Sequence, residues 1–313
     1  MRVALELSEL APAARAVTIG VFDGVHRGHV RILNTLSEAK QRDEVEQSLL
    51  ISFDPHPLAL VRPDDAPRMI STIAERIAEL GRHGPDELLI LPFTPELAST
   101  PFDEFAREVL VEKLGMKHLV AGYDFRMGRG RGGSAEDMVA LGKKTGFSVE
   151  VVEPCFLDDE IISSTTIRAA VEAGDMADAS HRLDRPFRLS GRVVEGDGRG
   201  RGLGFPTANL EQFPVQKLLP PAGVYRVRVK WEDGRGDGLM NLGLAPTLRG
   251  RFLAEIHILD FQDEIYGKRL DVDVLQWFRA EEKFPNIQAL SAQIEKDVSR
   301  LREILESEDR KNL

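Results

Sequence analysis

Short apolar runs alternate with helical patterns over the first half of the chain. Runs such as AVTIGVF, SLLISFD and ELLILPF have the length and composition of buried strands, whereas VRILNTLSEA and FAREVLVEKL place apolar residues at helical spacing. Strands that alternate with helices predict a mostly parallel sheet with both faces covered. The first part of the chain is therefore expected to be an α/β domain.

The pattern changes after the segment HRLDRPFRLSG. Alternating runs such as YRVRVKW, FLAEIHILDF and LDVDVLQWF are separated by Gly, Pro and Asp turns, which predicts an antiparallel barrel or sandwich. A closing helix is expected from about Ile287, because apolar residues recur there at helical spacing and would pack on the barrel. The boundary is placed between residues 181 and 187, which gives domains 1–183 and 184–313.

Composition limits the possible partners. The 313 residues include 41 basic and 51 acidic side chains, and the net charge of −10 argues against general binding to nucleic acid or anionic membranes. No run of about 18 apolar residues and no signal-peptide pattern occurs, so a cytoplasmic protein is expected. A homo-oligomer is left open.

The stretch GVFDGVHRGH, residues 20–29, follows an apolar run and leads into a helical pattern. His26 and His29 would both project near the start of that helix, where exposed N–H groups favour phosphate. Gly24 and Gly28 would let the backbone approach a ligand closely. Imidazoles in this place could donate hydrogen bonds to a phosphoryl group during an in-line displacement. The alternative is one core histidine and one surface histidine.

The same string resembles the His-x-Gly-His signature of the nucleotidyltransferase superfamily and, in its fuller form, bacterial FAD synthetases. The resemblance implies a Rossmann-like α/β fold and adenylyl transfer from ATP with release of pyrophosphate. It also implies that both histidines act in catalysis at the ATP phosphates. The nucleotide-binding residues that it implies are Gly20, Phe22, Asp23 and Gly28.

The segment EIISSTTIRAAVEAG predicts a short helix with Ser163 or Ser164 as its N-cap. The cap hydroxyls and Arg168, one turn inside, could form a second anion site, although an ordinary capped helix explains the pattern as well. The segment is similar to the Ile-Ser-Ser-Thr-x-Ile-Arg motif of the FAD synthetases. That similarity implies that Ser163, Ser164 and Thr165 bind ATP phosphates and that Arg168 is catalytic. Thr166 stands where the family often has Arg.

Two further segments are similar to flavin loops of the same family. ISFDPHP follows a strand and predicts a stiff loop, and its similarity to the Phe-Asp-Pro-His-Pro loop implies that Phe53 and Pro55 lie beside the flavin. GYDFRMG is similar to Gly-x-Asp-Phe-x-Phe-Gly. It implies nucleotide binding by Asp124 and flavin binding by Phe125 and Met127, the last in place of the family's Phe.

A rival interpretation comes from the glycines that follow. Gly128, Gly130 and Gly133 satisfy G-x-G-x-x-G, and Glu153 lies twenty residues on, as in an NAD-linked oxidoreductase. Residues 123–127, however, separate the first glycine from the strand. A mobile basic lid over phosphates is therefore favoured.

The second half contains GRVVEGDGRGRGLGFPTANL and no Walker lysine. Backbone N–H groups from Gly198 to Gly204, with Arg201, could cradle nucleotide phosphates, and Thr207 and Asn209 offer oxygens that suit Mg²⁺. A glycine-rich hairpin is the plainer interpretation. The string GFPTAN resembles the signature of riboflavin kinases. It implies a six-stranded Greek-key barrel and transfer of the ATP γ-phosphate to the ribityl 5′-hydroxyl.

The strand FLAEIHILDF places Glu255 and His257 on the face opposite its apolar residues. A solvated polar face would explain this, but the family's Glu-x-His motif coincides and implies that Glu255 is the general base. The family often reads Asn-x-Gly-x-Arg-Pro-Thr-Phe where this chain has NLGLAPTL. Ala245 and Leu248 thus replace a cation and an aromatic residue.

Together the motifs predict an enzyme that uses ATP and Mg²⁺ to convert riboflavin to FMN in its second domain and FMN to FAD in its first. Two alternatives stay open. The first is an FMN adenylyltransferase whose second domain binds flavin without kinase activity, because of the changes at Ala245 and Leu248. The other is the NAD-linked oxidoreductase.

Overall fold

Contacts divide the chain into two units, Met1–Thr166 and Ile167–Leu313. The division falls inside the helix Ser164–Glu172. Among the described residues, no helix is long and apolar enough to cross a membrane. The computed structural model describes residues 1–42, 45–196, 199–202, 204–245 and 251–311.

The strands of the first unit follow the predicted apolar runs, with short hairpins added near its end. In chain order they are β1 Arg2–Ala4, β2 Arg15–Ile19, β3 Gln47–Asp54, β4 Glu87–Pro92, β5 Met116–Gly122, β6 Arg126–Met127, β7 Gly133–Ser134, β8 Ser148–Val152, β9 Phe156–Leu157 and β10 Glu160–Ile161. Six of them form one parallel sheet in the order β1-β4-β3-β2-β5-β8. The pairs β6–β7 and β9–β10 are antiparallel.

Helices cover both faces of this sheet. Val17, on one face of β2, belongs to one apolar cluster, whereas its neighbour Ala16 belongs to a second cluster on the other face. This alternation confirms the predicted α/β layering, because successive residues of a strand point to opposite sides. The helices are α1 Arg27–Arg42, α2 Pro57–Val61, α3 Ile73–Leu80, α4 Pro95–Ser99, α5 Phe102–Glu104, α6 Ala135–Thr145 and α7 Ser164–Glu172, with 3₁₀ turns at Leu7–Glu9, Pro63–Asp65 and Arg129–Arg131.

Two helical segments differ from the sequence-based expectation. FAREVLVEKL, expected as an α-helix, forms a π-helix over Phe105–Lys113, in which the wider turn is seen at its end as a hydrogen bond from the Leu114 N–H to the Val109 carbonyl. The loop after β3 is shorter than expected, since α2 begins at Pro57. Proline is well tolerated in the first turn of a helix because its missing N–H would have no partner there.

The order in which the chain adds strands to the sheet reverses at β2, which lies between β3 and β5. The chain winds outward from β2 through β3 and β4, and then crosses to the other side to form β5. In open parallel sheets ligands bind outside the carboxyl ends of the strands at such a switch point. A ligand is therefore expected at the turns that follow β2, β3 and β5, and all of these turns carry predicted site residues.

The second unit is a closed antiparallel barrel, as the alternating runs predicted. Its elements are β11 Phe187–Val194, β12 Ala208–Leu210, β13 Gly223–Trp231, β14 Gly234–Ala245, β15 Arg251–Ile258, β16 Arg269–Ala280, α8 Met176–Leu183, α9 Arg199–Gly202 and α10 Ile287–Lys311. The strands follow one another around the barrel in the order β11-β12-β15-β14-β13-β16. Helix α8 packs against β11 and β16.

Helix α10 begins at Ile287, the predicted residue, and packs on the outside of the barrel. Leu301 is fully buried in a cluster with Leu239 and Phe278. Salt bridges flank this contact, with Arg226 bonded to Glu308 and Arg279 to Asp297, and hold the helix against β13 and β16. The predicted packing of the last helix on the barrel is thus confirmed.

Candidate functional sites

The turn between β2 and α1 has an unusual backbone. Phe22 and Val25 adopt positive φ angles of 53° and 43° although neither is glycine, and both side chains are buried. A β-branched residue in this region is strained and persists only where its surroundings hold it in place. The carboxylate of Asp23 supplies part of that support, because it accepts hydrogen bonds from the N–H groups of Ile70 and Ser71 at 2.9 and 3.0 Å.

His26 and His29 lie together at the start of α1. His26 is the N-cap: its Nδ1 accepts the backbone N–H of His29 at 3.4 Å. The two rings stack with centroids 3.7 Å apart, and Phe22 packs against His29 at 4.7 Å. His26 is buried and His29 partly buried, so the alternative of one core and one surface histidine is not what the fold presents.

Helix α7 reaches the same turn. Ser163 is its N-cap, since its Oγ accepts the N–H of Thr166 and the Thr166 hydroxyl accepts the N–H of Ser163. Ser164 donates its hydroxyl to the carbonyl of Asp23 at 3.0 Å. The two segments predicted separately to bind phosphate are therefore in direct contact, and two helix N-termini meet at the switch point of the sheet.

The remaining predicted nucleotide ligands lie around this turn or along α7. A Cβ on Gly20 would lie 3.0 Å from the Phe22 ring, and a Cβ on Gly28 would lie 3.2 Å from the His26 ring. Thr165 is exposed in the first turn of α7. Arg168 lies in the same helix beyond the division between the units, and its role stays a prediction.

Sequence reasoning missed Arg76, which lies directly beneath the turn. Its side chain is buried, and its Nη1 donates to the Val21 carbonyl at 2.7 Å. Burial lowers the pKa of this guanidinium from its ordinary value, while the neighbouring carboxylates of Asp23 and Asp54 act in the opposite direction. A signal was present in the sequence, because Arg76 falls on the inward stripe of α3 with Ile73 and Ile77.

The predicted flavin residues divide into two groups. Phe53 is partly buried at the end of β3 and meets Phe93 edge-on at 5.5 Å, and Pro55 is exposed. Phe125 and Met127 instead belong to the apolar core beneath the sheet, with only 9% and 8% exposed. Their proposed contact with flavin is therefore confined to a small part of each side chain.

Asp124 is exposed just beyond the carboxyl end of β5. Strand β5 flanks β2 on one side and β3 flanks it on the other, so Asp124 and the loop after Phe53 lie on opposite sides of the switch point. The proposed contact of Asp124 with nucleotide stays a prediction.

Two of the three glycines of the rival oxidoreductase interpretation have a packing role. Gly128 and Gly133 lie so close to Phe102 that a Cβ at either position would overlap it. The N-terminus of α6 carries a capping box, in which the Ser134 hydroxyl accepts the N–H of Asp137 and the Asp137 carboxylate accepts the N–H of Ser134.

In the barrel, Glu255 lies between two asparagines. Its Cα pairs with Asn209 of β12 on one side and with Asn241 of β14 on the other. Residues paired across neighbouring strands point to the same face of a sheet. The predicted general base thus shares its face with the Asn of the predicted Mg²⁺ site and with Asn241, which sequence reasoning did not select.

The glycine-rich segment folds over the GFPTAN motif. The Phe205 N–H donates to the Gly200 carbonyl at 2.9 Å, and a Cβ on Gly200 would approach the Thr207 hydroxyl to 3.2 Å. His257 bonds the Pro206 carbonyl through Nδ1 at 2.9 Å. The predicted ligand Gly204 lies in this segment with φ of 83°.

Four other residues named in the sequence-based predictions for this region are described in part or not at all. Gly198 and Leu248 lie outside the described residues. Arg201 and Ala245 have a described backbone but no described side chain.

The first unit has the fold of a nucleotidyltransferase, with a histidine cap and a second, stacked histidine at the start of α1, and the second unit is a six-stranded β-barrel. A family model described as FAD synthetase matches residues 9–166, and one described as riboflavin kinase matches residues 183–305. The bifunctional riboflavin kinase/FMN adenylyltransferase of Pseudomonas fluorescens is 38% identical, over 96% of this chain and 97% of its own. That of Escherichia coli K12 is 35% identical, over 95% of each chain.

The chain therefore belongs to the bifunctional riboflavin kinase/FMN adenylyltransferase family, a family of transferases. A crystal structure described as that of a macrolide-efflux protein from Streptococcus pneumoniae is also similar. It gives a TM-score of 0.84 at 30% identity and covers 96% of this chain and 98% of that chain. Family membership removes the oxidoreductase alternative, in agreement with the packing role of Gly128 and Gly133.

Proposed function

We propose that the chain phosphorylates riboflavin to FMN in its second unit and adenylylates FMN to FAD in its first, using ATP for both steps. The observation that carries the proposal is the bond between the Ser164 hydroxyl and the Asp23 carbonyl, which joins two phosphate-binding motifs at one helix pair. The barrel supports the kinase half through the pairing of Glu255 with Asn209. The proposal assigns the adenylyltransferase domain to residues 1–183 and the riboflavin kinase domain to residues 184–313.

In the first unit, a phosphate oxygen of FMN attacks the α-phosphorus of ATP. A new P–O bond forms, the bond to the bridging oxygen breaks, and pyrophosphate leaves with the electron pair. His26 and His29 donate hydrogen bonds to the phosphates as charge shifts, and Arg168 adds a fixed positive charge. The N–H groups at the start of α1, the hydroxyls of Ser163 and Thr165 and the backbone N–H of Ser164 hold the phosphates in line.

Flavin recognition is assigned to the loops around β3 and β5. Phe53 and Pro55 would contact one face of the isoalloxazine ring, and the exposed edges of Phe125 and Met127 would contact its rim. Asp124 would contact the nucleotide from the end of β5. Because the FMN phosphate must reach the α-phosphorus, the Phe53 loop and the His26 turn have to keep a fixed separation.

In the second unit, Glu255 accepts the proton of the ribityl 5′-hydroxyl as its oxygen attacks the γ-phosphorus of ATP, and ADP leaves. Arg201 and the backbone from Gly198 to Gly204 would bind the nucleotide. Thr207 and Asn209 fit Mg²⁺, since they supply neutral oxygens beside a carboxylate and leave the remaining positions to phosphate. The ion would neutralise charge on the transferred phosphoryl group.

In a second candidate function, the first unit is an FMN adenylyltransferase and the second unit has no kinase activity. It rests on Ala245 and Leu248, which replace a cation and an aromatic residue of the family pattern. In that case the barrel would bind riboflavin and leave it unchanged. The presence of Glu255 beside Asn209 and Asn241 favours an active kinase.

The test is a chromatographic time course of riboflavin, FMN and FAD after purified protein is mixed with ATP and Mg²⁺. We expect riboflavin to pass through FMN to FAD, and both steps to stop when EDTA exceeds Mg²⁺. If the protein forms neither FMN from riboflavin nor FAD from supplied FMN, the proposal is wrong. FAD from supplied FMN with untouched riboflavin would support the second candidate, and the Ala245→Arg variant would then be the first to make.

Because both steps consume ATP and small flavins, we propose a cytoplasmic enzyme that requires no nucleic acid or membrane. The net charge of −10 supports this, since it disfavours nucleic acid and anionic lipid surfaces. Unchanged rates after nuclease treatment and in the absence of lipid would agree with this part of the proposal. Loss of activity under either condition would contradict it.

A further inference from the structure

Arg76 joins two loops of the first unit from beneath. The side chain is 1% exposed and lies under the carboxyl ends of β2 and β3. Its Nη1 donates to the Val21 carbonyl at 2.7 Å and to the Ser52 hydroxyl at 3.3 Å. Its Nη2 donates to the Phe53 carbonyl at 3.2 Å. One guanidinium therefore serves three acceptors on two different chain segments.

The two segments are the ones that must be aligned for adenylyl transfer. Val21 begins the strained turn that leads to His26, and Phe53 begins the loop proposed to contact flavin. The hydroxyl of Ser52 also donates to the Val21 carbonyl at 2.9 Å, so the same acceptor is held from two directions. The chain just before α3 adds the bonds from Ile70 and Ser71 to the Asp23 carboxylate.

We propose that Arg76 is the positioning residue that fixes the turn from Val21 to His26 against the loop that follows Phe53. The inference rests on the adenylyltransferase function proposed above and assigns Arg76 no contact with substrate. A planar guanidinium can bond two carbonyls and a hydroxyl at once, whereas an ammonium acts as a compact point charge on a flexible stem. An error of about 1 Å in the alignment of reacting groups can cost about 10²-fold in rate.

A merely structural role is the competing explanation, because any buried arginine is costly to replace. The chain contains a matched control in Arg15, which is also 1% exposed. Arg15 lies at the opposite, amino end of β2, where it bonds Glu87 at 2.7 Å and the Leu114 carbonyl at 2.9 Å. Its replacement should destabilise the same sheet without disturbing the predicted site.

The experiment compares Arg76→Lys, Ser52→Ala and Arg15→Lys in the full chain. For each protein we would measure the melting temperature, the kcat and both KM values for FAD formation, and the rate of riboflavin phosphorylation. We expect Arg76→Lys to lower kcat for FAD formation by about tenfold or more and to raise KM for FMN. Ser52→Ala should shift both constants in the same direction by about threefold.

Arg15→Lys should lower the melting temperature and leave kcat and KM of the folded protein unchanged. Riboflavin phosphorylation should be unchanged in all three variants. The inference is overturned if Arg76→Lys keeps wild-type constants, or if Arg15→Lys alters them equally at a matched loss of stability. If Arg76→Lys does not fold, Ser52→Ala decides, and wild-type constants for it overturn the inference. Failure of the proposed function is a separate result, seen as absence of FAD formation in the unsubstituted protein.

Discussion

The ring of His26 caps the helix that carries His29. The Nδ1 atom of His26 accepts the backbone N–H of His29 at 3.4 Å, and the two imidazoles stack with centroids 3.7 Å apart. An Nδ1 that accepts a hydrogen bond leaves the proton of a neutral ring on Nε2. His26 can thus stabilise the helix through one nitrogen and donate to a phosphate through the other.

These two roles can be separated by substitution. His26→Asn keeps a good N-cap but removes the imidazole, whereas His26→Ala removes both. We expect each variant to lose about 10²- to 10³-fold in the rate of FAD formation from FMN, since one transition-state donor is gone. Only the Ala variant should also lose about 1 kcal/mol in the free energy of unfolding. Steady-state kinetics and thermal melts check both, and a wild-type rate for His26→Asn would contradict the assignment.

The pairing of Glu255 with Asn209 and Asn241 leads to a prediction for the barrel alone. Glu255→Gln preserves the shape of the side chain but removes the proton acceptor, so riboflavin phosphorylation should fall by about 10²- to 10⁴-fold. Adenylylation of supplied FMN should continue at the wild-type rate because it takes place in the other unit.

The control for this variant is Glu232→Gln, which changes an exposed carboxylate of the same barrel. It should leave both activities unchanged. Both rates follow from chromatography of flavins after addition of riboflavin or of FMN. A kinase rate within twofold of wild type for Glu255→Gln would remove this residue from its assigned role.

Local patterns were enough to predict the two folds. Alternation of apolar runs with helical periodicity predicted the parallel sheet, and strict alternation predicted an antiparallel barrel or sandwich, of which the resemblance to riboflavin kinases selected the barrel. The helix starting near His26 and the cap at Ser163 were also predictable, because capping depends on residues three positions apart. Both partners of such a contact lie within one short stretch of the sequence, so a local pattern is enough to identify them.

Long-range contacts were not predictable in the same way. Arg76 bonds Val21 across 55 positions of the chain, and no local pattern states which carbonyl a buried guanidinium will meet. The burial of Phe125 and Met127 likewise depends on how the segment after β5 turns back onto the core. The positive φ of Val25 could not be read from a residue type that normally avoids it.

Asp86 should make folding stability sensitive to acid. Burial alone would raise the pKa of its carboxyl group, but hydrogen bonds from Lys40 and from the N–H and hydroxyl of Ser48 outweigh this and lower it. A carboxylate whose pKa is lower in the folded state stabilises the fold above its unfolded pKa of about 4, and this contribution is lost as pH falls further. Asp86→Asn should therefore be less stable than wild type at pH 7.

The difference between Asp86→Asn and wild type should shrink as pH falls from about 4 through the lower pKa of the folded state, below which both proteins lack the charge. Urea unfolding of the two proteins between pH 7 and pH 3 measures it. The exposed Asp64→Asn variant is the control and should follow wild type throughout. A stability difference that is constant over this range would show that the Asp86 charge is not the source of the effect.

The last helix offers a comparison of two ion pairs on one element. Arg226 has a side chain only 7% exposed and pairs with Glu308 through both of its terminal nitrogens, whereas the Glu306–Arg310 pair is largely exposed. Glu308→Gln removes the carboxylate bonded to this buried guanidinium and should cost about 1–2 kcal/mol in the free energy of unfolding of the barrel, because Glu308 is itself 45% exposed and Asp237 still acts on Arg226. Glu306→Gln should cause no measurable change, because exposed pairs contribute little. Denaturant unfolding followed by tryptophan fluorescence measures both, and equal effects of the two variants would show that burial of Arg226 does not govern the docking of α10.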